Sequence, residues 1–403
     1  MFDTGNTGFM ILAASLVMLM TPGLAFFYGG LVGRKNVLAI MIQSFVSMGV
    51  TTVVWYICGY SLCFSGGQGG VIGNLDMAFL RGMTVHSVFG GGTANIPLFV
   101  FCAYQMMFAI ITPALITGAF TNRVRFGAYL IFLVVWLLLV YFPFVHMVWG
   151  GGLLAQWGVQ DFAGGIVVHA IAGFAALASV FFVGRRRVPD PGLHSIPLVA
   201  LGTGLLWFGW YGFNAGSELR VDGVTAQAFM NTDTAASFAA VTWLIMAWAL
   251  EKKPKLLGLL TGAVAGLATI TPCAGYVTIT SAVLIGVVSG IVCYLAVALK
   301  NRLGWDDSLD VWGVHGVGGV LGTILLGVFA AHEINPSGVD GLMFGNTGFF
   351  LKQTAAALGA GAYAFGFTWV MLKIINVITP VKVSEADEAK GLDQSLHGEV
   401  AYV

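Results

Sequence analysis

Two histidines stand out in this chain because of where they lie. His169 and His315 each sit inside a long run that contains no Asp, Glu, Lys or Arg, residues 162–184 and 311–332. An imidazole in such a run is costly in lipid and belongs on a cavity or a bundle interior. In its neutral form it donates one hydrogen bond and accepts another. Its ordinary pKa near neutrality also suits it to relaying protons. Two such rings joined to each other would place polar contacts in an otherwise apolar passage. Either ring alone also reads as a hydrogen-bonding residue between helices. A metal site is not expected, because no Cys or carboxylate stands near either ring at ligand spacing.

A second group is aromatic. Trp149 lies in HMVWGGG (146–152), Phe108 in YQMMFAIITP (104–113), and Phe213 with Ser217 in WYGFNAGS (210–217). Taken singly, each aromatic residue reads as part of an interfacial belt. Together they make a cation–π cage suited to a small, poorly hydrated cation. The Ser217 hydroxyl would accept one of its hydrogen bonds. No acidic residue belongs to the set, so a doubly charged ion would be poorly served. Asp161 opens the run that holds His169. It reads first as an N-cap that satisfies free N–H groups and the helix dipole. A second reading is attraction of a cation at the outer mouth. Asp307 and Asp310 are expected to cap the helix of His315 in the same way.

The elements that must position these residues are membrane helices. Of 403 residues, 58% are hydrophobic and 9% are charged, against about 25% charged in a soluble domain. Such a chain cannot cover its surface with polar groups, so that surface meets lipid. The net charge is zero, which gives no reason to expect a nucleic-acid partner. The 56 glycines fit close helix packing in a bilayer. The five cysteines form no CxxC pair and read as free buried thiols. The N-terminal segment has no basic leader and reads as a first span, not a signal peptide.

A spanning helix needs about 20 apolar residues, and basic residues collect on the cytoplasmic side. Basic clusters occur at Arg34/Lys35, Arg123/Arg125, Arg185 to Arg187, Lys252/Lys253/Lys255 and Lys300/Arg302. If all are cytoplasmic, each interval between them holds an even number of spans. The interval 256–299 has room for two, broken at TPCAGYVT (271–278). The result is an all-α integral membrane protein with eleven spans, the N-terminus outside and the C-terminus in the cytoplasm. Only Arg81, Arg220 and Lys352 fall on the outer side. Residues 1–380 form the membrane unit, and the polar segment 381–403 is a cytoplasmic tail, either solvated or a regulatory contact.

DFAGGIVVHAIAG (161–173) and DSLDVWGVHGVGG (307–319) share Asp, Val, His and Gly at equal offsets. They open spans five apart, so they run in opposite directions. This is the signature of two inverted five-helix repeats, about 7–187 and 195–332, with an eleventh helix at about 350–375. In transporters such repeats place the substrate path at their interface, where His169 and His315 would meet.

These segments resemble the Amt/Mep/Rh ammonium transporters, on the microbial Amt side. The resemblance runs from TPGLAFFYGGLVGRKN (21–36) to GLDQSLHGEVAY (391–402). HMVWGGGLLA, DFAGGIVVH, WYGFNAGS, ITPCAGY and GVHGVGG are specific in combination. It implies a homotrimer in the inner (plasma) membrane with one pore per subunit and no cofactor. It implies that Phe108, Trp149 and Ser217 recruit ammonium, with methylammonium as an analogue. Phe108 and Phe213 would form a stacked gate, and His169 with His315 would line the path. Leu24, Phe27, Tyr28 and Val311 would mark its inner end, with Asp161 mainly structural. The tail resembles a segment that contacts PII signalling proteins. The transported species is ammonia, with or without its proton. The alternative is an ammonium sensor that signals through the tail, although no output domain is fused to it. An Rh-like gas channel fits less well, because Trp149 with Ser217 argues for cation recruitment. No nucleophile–base pair, phosphate loop or metal cluster supports an enzyme.

Overall fold

The computed structural model describes residues 2–67, 69–90, 94–190 and 192–402. Met1 and Val403, the outer limits of the two expected units, lie outside the described residues. Among them, ten helices are long and apolar enough to cross a membrane: α1 Thr4–Leu31, α2 Arg34–Phe64, α3 Leu98–Phe120, α4 Phe126–Trp157, α5 Gly165–Val183, α6 Ile196–Glu218, α7 Gly223–Glu251, α9 Ile279–Leu303, α10 Trp312–Phe329 and α11 Thr347–Ile378. The remaining apolar helix, α8 Leu256–Ile270, is shorter. A two-residue hairpin, β1 Val88–Phe89 with β2 Ile96–Pro97, lies in the connection between α2 and α3.

The break expected in TPCAGYVT explains why α8 is short. Its 15 residues rise only about 22 Å, less than a hydrocarbon core of about 30 Å. A buried turn, Thr271 to Val277, continues its path. Irregular backbone at membrane depth is tolerated only where protein satisfies its polar groups. Here the Asn231 amide donates to the carbonyls of Ala274 and Val277, both at 2.8 Å, and Phe162 N–H donates to Pro272 at 3.2 Å. The turn thereby carries the start of α5, whose Gly165 leaves room for the Pro272 ring.

Close approach between helices depends on glycine at several crossings, and two of them concern the helices of the histidines and the passage. Where α1 meets α6, a Cβ on Gly202 would overlap the backbone of Phe27, and one on Gly23 would stand 3.0 Å from Leu205 Cβ. Where α5 meets α10, a Cβ on Gly173 would overlap the backbone of Gly316, and one on Gly319 would fall 2.6 Å from Ala170 N. Backbones this close gain dispersion contacts that larger residues would forbid.

On the face that carries the basic clusters, Arg123 is not a solvated charge. It is fully buried. Its guanidinium donates to the carbonyls of Ala119, Gly184 and Asp306 and pairs with the Asp306 carboxylate at 3.3 Å. Asp306 also binds Arg186 at 2.7 Å. Burial raises the cost of charge on Asp306, but the two guanidinium groups more than offset it and hold its carboxyl below the usual range. One cluster thus joins three interhelical connections.

The tail packs against this same face. Val381, Val383 and Leu392 are buried. Its helix α12, Glu385–Lys390, offers the Glu388 carboxylate to the N–H groups of Arg187 and Val188 at 2.8 and 3.1 Å. Asp393 accepts from Ala39 N–H near the start of α2 at 2.8 Å. The segment is thus packed against the helical connections and is not a free solvated tail.

The α5–α10 crossing gives a direct test. Gly173→Val should destabilise the protein by about 1–3 kcal/mol through overpacking. Gly127→Ala, where no atom stands within 4 Å of the added methyl, should be neutral or mildly stabilising. Thermal unfolding in detergent, followed by tryptophan fluorescence, reads both. A Gly173→Val protein as stable as wild type would mean that the helices are not held this close.

Candidate functional site

The site begins with how α5 starts. Asp161 precedes the helix and turns both carboxylate oxygens onto its free N–H groups. Oδ1 accepts from Gly164 and Gly165 at 2.8 and 2.7 Å, and Oδ2 from Ile166 and Val167 at 2.8 and 3.1 Å. One buried carboxylate thus satisfies four donors that the helix cannot satisfy itself. Its own carbonyl accepts from the Trp149 indole N–H at 2.8 Å, so the same residue fixes the orientation of Trp149. Asp307 does comparable work on α10, accepting from Val311 and Trp312 at 3.1 and 2.8 Å. Asp310 does not cap; it pairs with Lys300 at 2.6 Å. Burial, the largest influence, pushes the Asp307 carboxyl up to about 6.

Both histidines lie on π-helical turns, His169 in Gly165–Ala170 and His315 in Trp312–Gly316. A π turn is one extra residue in an α-helix and is frequent at functional sites. The turns and the glycine crossing bring the two rings together: the Nδ1 atoms are 3.2 Å apart and the planes are inclined by only 19°. One Nδ1 must donate and the other accept. The donor ring therefore keeps an unprotonated Nε2, and the acceptor ring carries an Nε2–H. Trp210 lies nearly parallel to His169 at 5.4 Å, its indole N–H held by Thr271 Oγ1 at 2.9 Å.

Three spaces run in series through these residues. An outer vestibule of about 290 Å³ is lined by Phe108, Trp149, Phe162 and Ser217, among others. Phe108 stands edge-on to Trp149 at 5.7 Å and lies 4.3 Å from Phe213, with planes inclined by 39°. The Ser217 hydroxyl donates to the Phe213 carbonyl at 2.9 Å. Beyond the Phe108–Phe213 pair a narrow passage follows, with free volume of only about 10 Å³, near the minimum for a single water. Its walls are Met20, Leu24, Phe27, Ile111, Leu115, Val168, Leu206, Trp210, Phe213 and Val264, with both histidines. An inner cavity of about 240 Å³ opens past Phe27, Tyr28 and His315.

The structure therefore brings Phe108, Trp149, Phe213 and Ser217 together at one end, and Leu24, Phe27, His169 and His315 along the passage. Tyr28 lines the inner cavity. Val311 lines none of these spaces; it is buried beside Tyr28 at Gly118. Asp161 stands behind the cage, facing backbone. Sequence reasoning missed Trp210 and Gln105, which lines the outer vestibule. Both occur in segments singled out for other residues. Among the described residues no cluster of His, Cys, Asp or Glu could hold a metal.

This is the architecture of a multi-pass membrane transport protein. The chain belongs to the Ammonium Transporter Family, which it matches over residues 8–402. It is 44% identical to the ammonium transporter of Bacillus subtilis, across 99% of this chain and 98% of that one. It is 42% identical to ammonium transporter Amt1 of Archaeoglobus fulgidus, across 99% of both. Among solved structures it resembles Mep2 of Candida albicans, with TM-score 0.88 and 36% identity over 96% of this chain and 88% of the other. It also resembles a structure described as a sensor Amt protein, with TM-score 0.89 and 31% identity over 96% and 97%. The two relatives from Bacillus subtilis and Archaeoglobus fulgidus are ammonium transporters, and this chain belongs with such transport proteins and not with enzymes.

Removing the Asp161 carboxylate should leave buried amides without acceptors. Asp161→Ala is expected to cost about 3 kcal/mol or more, read as a lower midpoint of thermal unfolding in detergent. Asp161→Asn, which keeps one acceptor oxygen, should fall between. An unchanged midpoint for Asp161→Ala would remove the capping role.

Proposed function

We propose that this chain is a selective ammonium transporter of the plasma membrane. NH4+ binds in the outer vestibule among Phe108, Trp149 and Ser217. It gives up its proton on passing Phe108 and Phe213, and ammonia moves along the passage between His169 and His315. The observation that carries this reading is the passage itself. Its walls are apolar except for two hydrogen-bonded imidazoles, and it is too narrow for an ion to keep its water. The cage favours a singly charged cation by cation–π attraction. The imidazole nitrogens then offer one donor and one acceptor to a molecule that needs both. They also offer a route by which the proton follows.

Several coarser features are read with this function. Equivalent helices of two inverted repeats, α1 with α6 and α5 with α10, each cross at glycines, as expected of elements beside a shared pseudo-twofold axis. The basic clusters support a cytoplasmic inner face, an outside N-terminus and a membrane unit ending near residue 380. The subunit works as a homotrimer with one path each. The tail, packed across the connections at the inner mouth, suits contact with a PII-type signalling protein. The likeness to a sensor protein is one of overall fold and does not favour signalling over transport.

Proteoliposomes holding the full chain test the reading. Labelled methylammonium should enter by a saturable route that ammonium blocks, and membrane current should report whether the proton travels too. Neither uptake nor current in intact protein would overturn it. His169→Asp and His315→Glu place a carboxylate in the passage and should admit K+, raising K+ current by roughly tenfold or more, since acidic linings select cations. Selectivity that survived both changes would remove the histidines from the path.

A further inference from the structure

The outer vestibule has few polar side chains. Among the described residues that line it, only Gln105 and Ser217 carry a side-chain oxygen. Ser217 is already engaged: its hydroxyl donates to Phe213, and the Tyr104 hydroxyl stands 3.2 Å away. One serine oxygen is a poor exchange for the water that a cation with four N–H groups gives up. The indole N–H of Trp149 is committed to Asp161, and as a donor it repels a cation's hydrogens in any case.

Gln105 lies on α3 one helical turn before Phe108, on the same face. Its side chain is nine-tenths buried, and its Oε1 has no hydrogen-bond partner among the described residues. A buried amide oxygen without a partner is rare and calls for an explanation. The last torsion of a glutamine is broad and roughly two-fold. A small rotation or a flip of the amide therefore presents Oε1 to the vestibule that the residue already lines. We propose that Gln105 is a second hydrogen-bond acceptor for the cation, touching NH4+ together with Ser217 in the outer vestibule. This rests on the reading that the vestibule recruits ammonium.

The consequence is specificity. The faces of Phe108 and Trp149 attract any singly charged cation of suitable size. Two directional acceptors separate a cation bearing N–H groups from a bare alkali ion of similar radius, because only the former supplies the hydrogens. The unpartnered oxygen beside the vestibule is the counterpart of this selectivity, stability given up where binding needs an open acceptor.

The test uses proteoliposomes with the full chain and reads the ammonium concentration that halves tracer methylammonium uptake, with and without excess K+. Gln105→Leu should raise that concentration roughly tenfold, about 1.4 kcal/mol, and make K+ a better competitor. Its thermal midpoint should be equal to or above that of wild type, because a partnerless buried atom is gone; a purely structural glutamine would lower it. Gln105→Glu keeps an acceptor and should hold the half-inhibiting concentration at or below the wild-type value. If Gln105→Leu abolishes uptake and Gln105→Glu retains it, an acceptor is needed there and the proposal stands. If both abolish uptake, or if Gln105→Leu matches wild type within twofold, the proposal is overturned. Trp149→Leu separates this from the underlying reading. If it too leaves the half-inhibiting concentration unchanged, or if wild type shows no saturable uptake, recruitment in the vestibule fails as well. If Trp149→Leu weakens ammonium and Gln105→Leu does not, only the role of Gln105 falls.

Discussion

The crossing of α5 and α10 at Gly173 and Gly316 is the constraint on which the rest depends. No side chain separates the two backbones there. The distance between the helices is set by main-chain atoms, which are stiff, and not by side chains, which adjust. Interiors packed this tightly do not deform continuously. The histidines sit within about one turn of the crossing, so their 3.2 Å separation follows from backbone contact. The Asp161 carboxylate and the turn after α8 then fix where α5 begins, and Trp149 is tied to the same aspartate. Trp149, the narrow passage and the crossing are therefore one mechanical unit.

The inner face follows a different logic. There the connections are held by charge and hydrogen bonds, with Arg123 at the centre. A buried guanidinium is costly unless its donors are satisfied. Here the carbonyls of Ala119, Gly184 and Asp306 and the Asp306 carboxylate meet that need at both terminal nitrogens, while Nε has no partner among the described residues. The tail adds Glu388 and Asp393 to the same surface. The inner cavity, lined in part by Asn122, Arg186, Asp190 and Ser308, is thus polar where the passage is not.

Much of this was legible in the residue order. Charge-free runs bounded by basic clusters placed the helices, because lipid imposes a length and a composition that few other solvents impose. The shared Asp, Val, His and Gly pattern brought His169 and His315 together. The short α8 was visible as a break at TPCAGYVT. What could not be read was whatever depends on backbone departing from an ideal helix. Nothing in GIVVHA or WGVHG announces a π turn. The burial of Arg123 was hidden because one basic residue in a cluster looks like the next. Asp310 looked like Asp307, yet only the latter reaches the N–H groups of α10. Trp210 was masked by its neighbours, since an indole in an apolar helix reads as packing until its partner across the path is known.

The two π turns carry a consequence about chain length. Each turn holds one residue more than an α-helix would use over the same rise. An α-helix advances about 100° per residue, so deleting any one residue from either turn, even with His169, His315 and the glycines all retained, would rotate one flank against the other by that angle. The imidazole or the glycine seam would then face its partner helix, but not both. Along Gly165–Ala170 and Trp312–Gly316 the number of residues is as much a part of the site as their kind. A gap in an alignment there would mark a change in the geometry of the histidine pair, where in a connection between helices it would mark only a shorter loop.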